Sequence, residues 1–293
     1  MKRNLLIGVA WLAMSVGAQA APVSTGNLTG GGALWSVGNT SAGFAIVDAQ
    51  TQSQSDAFDY GLTFYVNGVA YNTPGGTFDL SGQKATGGTA LMSGLNVFTS
   101  YYADTASPAL RTLFTMTNTT SQAITRTVSM RTNVGSDSST QTVATSSGDT
   151  AFTKADRWIV TDDGAGGDPA NLHVLWGTGG LAPSAVGQAV FEAAGTQGVL
   201  ADFVLTLEAG QTSSLMMVNQ IFNTASAATG NANQFNTLGA NSALLADLSS
   251  AERARIVNWK VGAAAATVPE PASLLLVAVA GLALAGARRR KSA

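Results

Sequence analysis

Leu62-Thr63-Phe64-Tyr65-Val66-Asn67-Gly68-Val69-Ala70-Tyr71 is the stretch on which the fold class turns. Two runs rich in β-branched and aromatic residues flank Asn67-Gly68. That dipeptide readily supplies two successive positive φ angles, so the stretch predicts a type I′ hairpin. Farther along, Leu110, Thr112, Phe114 and Met116 share one side of an alternating run, and Ile124, Val128, Met130 and Val134 share one side of the next. The short polar loop between these runs predicts a second hairpin. Arg126 interrupts the second apolar side, which calls for an end position or an acidic partner. Trp158-Ile159-Val160 and Leu172-His173-Val174-Leu175-Trp176 read as strands around a glycine-rich loop, and 201–207, 208–211 and 213–222 as another strand-turn-strand unit. Short strands at this spacing predict an all-β fold, a β-sandwich of antiparallel strands.

One short C-terminal α-helix is expected over 249–259, where Ser249 and Glu252 have capping-box spacing and Ile256 and Trp259 lie on one face. The Asn-, Ala-, Gly- and Thr-rich stretch 223–242 reads as a long surface connection, and 262–267 as a small-residue spacer.

Composition agrees with strands and turns. The 293 residues include 33 Gly and only 11% charged residues, a poor mixture for long amphipathic helices. The absence of Cys excludes disulfides, thiolate metal sites and a cysteine nucleophile, and does not assign a compartment. The formal net charge of −2 conceals a split: residues 21–268 carry nine basic against sixteen acidic side chains, a net −7, while six more cations sit at the two ends. An acidic interior repels a phosphate backbone, so no nucleic-acid partner is expected.

The ends account for the cations. Lys2 and Arg3 precede an apolar run over 5–16, and Ala18-Gln19-Ala20 precedes Ala21. This order predicts a secretory signal peptide over 1–20, cut by signal peptidase after the general secretion machinery has engaged it; Ala18, Ala20 and Ala21 mark the cleavage site. At the other end, Pro269-Glu270-Pro271 is followed by sixteen uncharged residues, 272–287, and then Arg288-Arg289-Arg290-Lys291. As a helix the uncharged run would extend about 24 Å, short of a hydrocarbon core of about 30 Å. Four cations behind it should stay cytoplasmic as a stop to transfer. The two prolines hold the preceding backbone extended, the conformation a processing enzyme can grip.

The order of Pro269-Glu270-Pro271, apolar helix and Arg-rich end resembles the PEP-CTERM sorting signal of Gram-negative bacteria that make extracellular polysaccharide. The resemblance covers about 25 residues and leaves the central domain without a family. It implies that Pro269, Glu270 and Pro271 are recognised by exosortase, that a single C-terminal transmembrane helix holds the protein transiently at the inner membrane, and that Arg288, Arg289, Arg290 and Lys291 are the stop. The expected organisation is a signal peptide over 1–20, an exported domain over 21–267 and a sorting signal over 268–293.

Within the domain, chemistry is sparse. His173, the single histidine, lies in an apparent strand without a nucleophile elbow, so it reads as structural and no catalytic residue is assigned. Asp162, Asp163 and Asp168 in a glycine-rich loop could offer hard oxygen ligands to calcium, the one cofactor considered, though their spacing matches no EF-hand. Trp35, Tyr101 and Tyr102 could stack on sugar rings or pack in the core. The expectation is a non-enzymatic protein of the cell surface or extracellular matrix, with a structural or adhesive role and extracellular polysaccharide as a candidate partner. A calcium-dependent carbohydrate-binding module is the alternative, ahead of a polysaccharide hydrolase.

Overall fold

A computed structural model describes residues 22–188, 198–239 and 241–261. The signal-peptide region with Ala18, Ala20 and Ala21, the segment that contains Glu192, and the whole sorting signal with its expected transmembrane helix lie outside the described residues. Among the described residues no helix is long and apolar enough to cross a membrane.

The chain is mostly antiparallel β-sheet. Its strands, in order, are β1 (Thr25–Gly30), β2 (Ala33–Thr40), β3 (Gly43–Gln50), β4 (Thr63–Val66), β5 (Val69–Ala70), β6 (Phe78–Ser81), β7 (Lys84–Gly87), β8 (Ala90–Met92), β9 (Leu95–Ala103) and β10 (Ala109–Asn118). There follow β11 (Ile124–Asn133), β12 (Gln141–Thr145), β13 (Trp158–Asp162), β14 (Ala170–Val174), β15 (Ala185–Gly187), β16 (Gly198–Leu207) and β17 (Thr212–Phe222). They build a three-stranded meander β1-β2-β3, a five-stranded sheet β15-β16-β11-β4-β5, and a nine-stranded sheet β12-β13-β14-β17-β10-β9-β7-β6, with β8 also on β9.

The hairpin expected at Asn67-Gly68 forms. Asn67 and Gly68 take φ of 49° and 79°, and Val66 pairs with Val69 and Tyr65 with Ala70. Gly68 tolerates its angle because it lacks a Cβ, and Asn67 tolerates it because its short amide can bond locally; here its carboxamide oxygen accepts from the Thr127 amide at 3.2 Å.

The second expected hairpin does not form. β10 pairs with β9 and β17 in the nine-stranded sheet, whereas β11 pairs with β4 and β16 in the five-stranded one. β16 and β17, consecutive in sequence, separate in the same way. The alternating apolar residues were legible, but alternation specifies which side of a strand is buried and not which strand lies beside it. Leu110, Phe114 and Met116 face Val128, Met130 and Val134 across one shared core instead of along one ladder. Both crossovers leave the sheets at the same place and are joined there by Asn118. Its carboxamide nitrogen donates to the carbonyls of Gln122 (2.7 Å), Leu207 (2.9 Å) and Glu208 (3.1 Å), and its oxygen accepts from the Thr120 amide (2.9 Å).

The shared core also holds Trp35, Phe44, Phe58, Phe64 and Tyr71, with Phe64 stacked on Phe114 at 4.6 Å between centroids. Tyr101, fully buried, shares its hydroxyl between the Phe44 and Leu62 carbonyls at 2.9 and 3.0 Å, which removes the cost of burying that polar group. Arg126 takes an end position, its Nε donating to the Ser93 carbonyl at 2.7 Å.

A second apolar layer covers the outer side of β10, β13, β14 and β17. It is built from the stretch read as a surface connection together with residues 243–261. α1 (Ala225–Ala232) is capped by Thr224, whose hydroxyl accepts from the Ala227 amide, and it buries Ala228 and Ala232. Small side chains let this helix settle close to the sheet, which is why a composition typical of loops packs here. The expected helix is also shorter than its spacing promised: α2 (Ser250–Ala254) keeps the Ser249–Glu252 capping box, while Ile256 and Trp259 lie beyond its end. Those two side chains are buried all the same, since Ile256 bridges to Ser214 and the Trp259 indole donates to the Met216 carbonyl at 2.9 Å.

Candidate functional site

Alternation along β4 and β11 gives the five-stranded sheet an inner side in the core and an outer side facing water. Phe64, Val66, Val128 and Met130 point inward, so Thr63, Tyr65 and Arg131 lie on the outer side. Where these strands meet the segment after β3, Ala42, Asp59, Tyr60, Thr63, Tyr65, Arg131 and Asn133 line a cavity of about 190 Å³.

Several interactions set the shape of this wall. The Arg131 guanidinium carbon lies 4.1 Å from the centroid of the Tyr65 ring, a cation–π contact that fixes both side chains. The Tyr65 hydroxyl donates to the Ala42 carbonyl at 3.2 Å, and the Thr63 hydroxyl to the Arg131 carbonyl at 3.2 Å. The Asp59 amide donates to the Asn133 carbonyl at 3.1 Å. Arg131 Nε and Asn133 Oδ1 are shielded from bulk water and have no hydrogen-bond partner in the protein. Tyr60 stands at the rim, 43% exposed.

The backbone leading into the cavity is strained. Asp56, Tyr60 and Leu62 take φ of 72°, 65° and 58°, left-handed angles that cost a side-chain-bearing residue about 1 kcal/mol or more. The strain has a geometric result: Phe58 and Leu62 are turned into the core while Tyr60 is turned out over the cavity.

The residues singled out in the sequence fall elsewhere. His173 sits in β14 as expected, wholly buried on the inner side. Asn219 is 2.9 Å from its Nδ1, Thr161 is 3.3 Å from its Nε2, and the Phe58 ring lies edge-on to it. Burial pushes its pKa down to about 3, so the ring is neutral at physiological pH. Charging this ring inside the core is unfavourable, whereas the unfolded chain protonates near pH 6.5. The domain's stability should therefore hold above about pH 6.5 and decline as pH falls from there toward 3, by about 2 kcal/mol at pH 5. Since the sequence has no other histidine, His173→Gln should flatten this part of a urea-midpoint profile between pH 5 and 7; an unchanged slope would refute the assignment.

The acidic loop closes on itself. Asp163 accepts amide hydrogens from Ala165, Gly166 and Gly167 at 2.9–3.1 Å. Although partial burial opposes it, these backbone donors hold the Asp163 carboxyl below its ordinary value. Burial raises Asp162, and burial together with Asp56 and Asp163 raises Asp168. Asp162, Asp163 and Asp168 thus lie close enough to repel one another, yet among the described residues no group of three or more His, Asp or Glu is arranged to hold a metal ion. Of the aromatics considered for sugar stacking, Trp35 and Tyr101 are entirely buried, and Tyr102 is half-buried with Arg111 over its ring at 5.1 Å. Tyr60, Tyr65 and Arg131 were missed in the sequence. The available signal was that Tyr65 and Arg131 occupy outward positions of alternating strands, where a large side chain needs a reason beyond packing.

Residues 267–291 match the PEP-CTERM protein-sorting motif, so the resemblance of the C-terminal end to an exosortase-recognised sorting signal holds. No curated protein matches the chain. Among solved structures it is similar to the Slr1438 protein from Synechocystis sp. PCC 6803, at 9% identity over 75% of this chain and 100% of that one, with a TM-score of 0.44. A galactose mutarotase-like protein from Lactobacillus casei ATCC 334 aligns at 10% identity over 67% of this chain and 99% of that one, TM-score 0.45. The polysaccharide lyase BACCELL_00875 aligns at 13% identity over 67% of this chain, TM-score 0.44, and this chain spans only 33% of it.

Proposed function

We propose that this protein is exported by its N-terminal signal peptide, held at the inner membrane by a helix over 272–287, and processed by exosortase at the Pro269-Glu270-Pro271 tag for delivery to the cell surface or extracellular matrix. The β domain, a sandwich of the five- and nine-stranded sheets over one core, serves there as a non-enzymatic structural or adhesive module. The observation that carries this reading is the match of 267–291 to the PEP-CTERM protein-sorting motif, joined to a large β domain without cysteine. A domain that needs no disulfide folds in an oxidising compartment without risk of mispairing.

The test is deletion of 268–293 followed by cell fractionation. Loss of surface or matrix placement, with the protein left in the periplasm, is expected. Unchanged placement would sink the sorting claim.

A further inference from the structure

We infer that the cavity lined by Asp59, Tyr60, Thr63, Tyr65, Arg131 and Asn133 is a binding site for one ring of a neutral saccharide. The inference deepens the adhesive part of the proposed function, and rests on it only for where the ligand is met.

Three features point to this ligand class. Donor and acceptor capacity meet in one small space: Arg131 can only donate, the Asp59 carboxylate can only accept, and the Asn133 carboxamide does both. A hydroxyl group accepts and donates at once, so neighbouring hydroxyls of a sugar answer both needs, whereas a carboxylate answers only the donor and an ammonium only the acceptors. Charge weighs against an acidic sugar, because Asp59 offsets the Arg131 charge in the same wall and the domain as a whole carries −7 over 21–268. Finally, Tyr60 offers an exposed ring at the rim, an apolar surface against which the C–H face of a pyranose can stack. A cavity of about 190 Å³ has room for one ring, with the rest of a chain outside.

The φ of 65° at Tyr60 separates a binding role from a structural one. Asparagine tolerates that angle better than tyrosine, and a side chain 43% exposed contributes little by burial. Tyr60→Asn should therefore leave the melting temperature unchanged or raised while binding is lost. A tyrosine kept for stability would show the opposite.

The experiment titrates the full-length chain, in a detergent without a sugar headgroup, with glucose, galactose, mannose, maltose, cellobiose and glucuronate, read by calorimetry and by melting temperature. Saturable binding of at least one neutral sugar in the millimolar range is expected, weakened about tenfold or more by Tyr60→Asn and by Arg131→Met, the change that removing one stacking or charge-assisted contact produces. No binding by any neutral sugar, tighter binding of glucuronate than of glucose, or binding indifferent to both variants would each overturn the inference. Because the readout uses purified protein, its failure leaves the sorting result untouched, and failed sorting leaves the titration intact.

Discussion

Asp247→Ala should lower the unfolding free energy of the domain by about 3–5 kcal/mol, because it strands a charge inside the protein. Arg111 lies near the start of β10 on the outer side of the nine-stranded sheet, and none of its surface reaches water. Its guanidinium is held by the second apolar layer: Nη1 donates to the Leu244 carbonyl at 2.8 Å and to Asp247 Oδ1, and Nη2 donates to Asp247 Oδ2 at 3.0 Å. Lys84 Nζ adds a contact to the same carboxylate at 2.9 Å. Burial alone would raise the Asp247 carboxyl, but the hydrogen bonds and charges of Arg111, then of Lys84, outweigh it and hold the group below its ordinary value. The pair's contribution is accordingly present at neutral pH and lost as pH falls through that lowered value.

Removing the carboxylate leaves the guanidinium desolvated, with the Leu244 carbonyl and the face of the Tyr102 ring as its remaining partners. Replacing both residues, as Arg111→Met with Asp247→Leu, should recover most of the loss, since an apolar pair of similar volume avoids the desolvation altogether. Denaturant midpoints of the two variants decide the matter: a single variant within about 1 kcal/mol of the parent, or a double variant no better than the single, would refute this account. Hydrogen exchange should locate the damage in 225–261, the segment that Arg111 ties to the sheet, before the core exchanges.

Asn118→Ala should cost about 3 kcal/mol, well above the ordinary surface substitution. The side chain is 1% exposed, and its two N–H bonds are shared among three carbonyls of the two crossovers. Alanine leaves those acceptors short of a donor in a place water does not reach. Asn118→Asp should be worse, because a carboxylate would set its oxygens against carbonyl oxygens where the amide nitrogen now stands. Thermal unfolding of the pair of variants orders them, and a neutral Asn118→Ala would mean that the crossovers are held by their backbone bonds alone. Those bonds exist: the Asn118 amide donates to the Gln211 carbonyl at 3.0 Å and the Gly210 amide to the Asn118 carbonyl at 3.1 Å. Nothing in the sequence around Asn118 marks it as buried; only the meeting of two distant loops makes it a buried joint.

Local signals carried far. Asn67-Gly68 dictates its turn because two positive φ angles are a property of the dipeptide itself, and the Ser249–Glu252 box dictates a helix start through bonds within four residues. Alternation in 110–116 and 124–134 marked which side chains enter the shared core, but not that Arg111 and Leu113 on the other side of β10 are buried as well. The C-terminal tag was legible for the same reason, as its order of prolines, apolar run and cations is contiguous. By itself, then, the sequence determined an all-β class, the Asn67-Gly68 turn, the core-facing sides of its strands and the sorting address.

Tertiary structure decided the rest. Pairing is a choice among strands that share a buried side, and that choice depends on which crossovers can be closed and satisfied, as Asn118 does for β10–β11 and β16–β17. The helical packing of Ala225–Ala232 depends on a sheet close enough to reward small side chains, so its composition alone looked like a loop. The cavity is the clearest case. Asp59 and Tyr60 come from one segment and Arg131 and Asn133 from a strand some seventy residues later, brought together by the register that sets Arg131 opposite Thr63. No spacing in the sequence encodes that meeting, because what joins the two segments is a ladder of backbone hydrogen bonds that every residue can make.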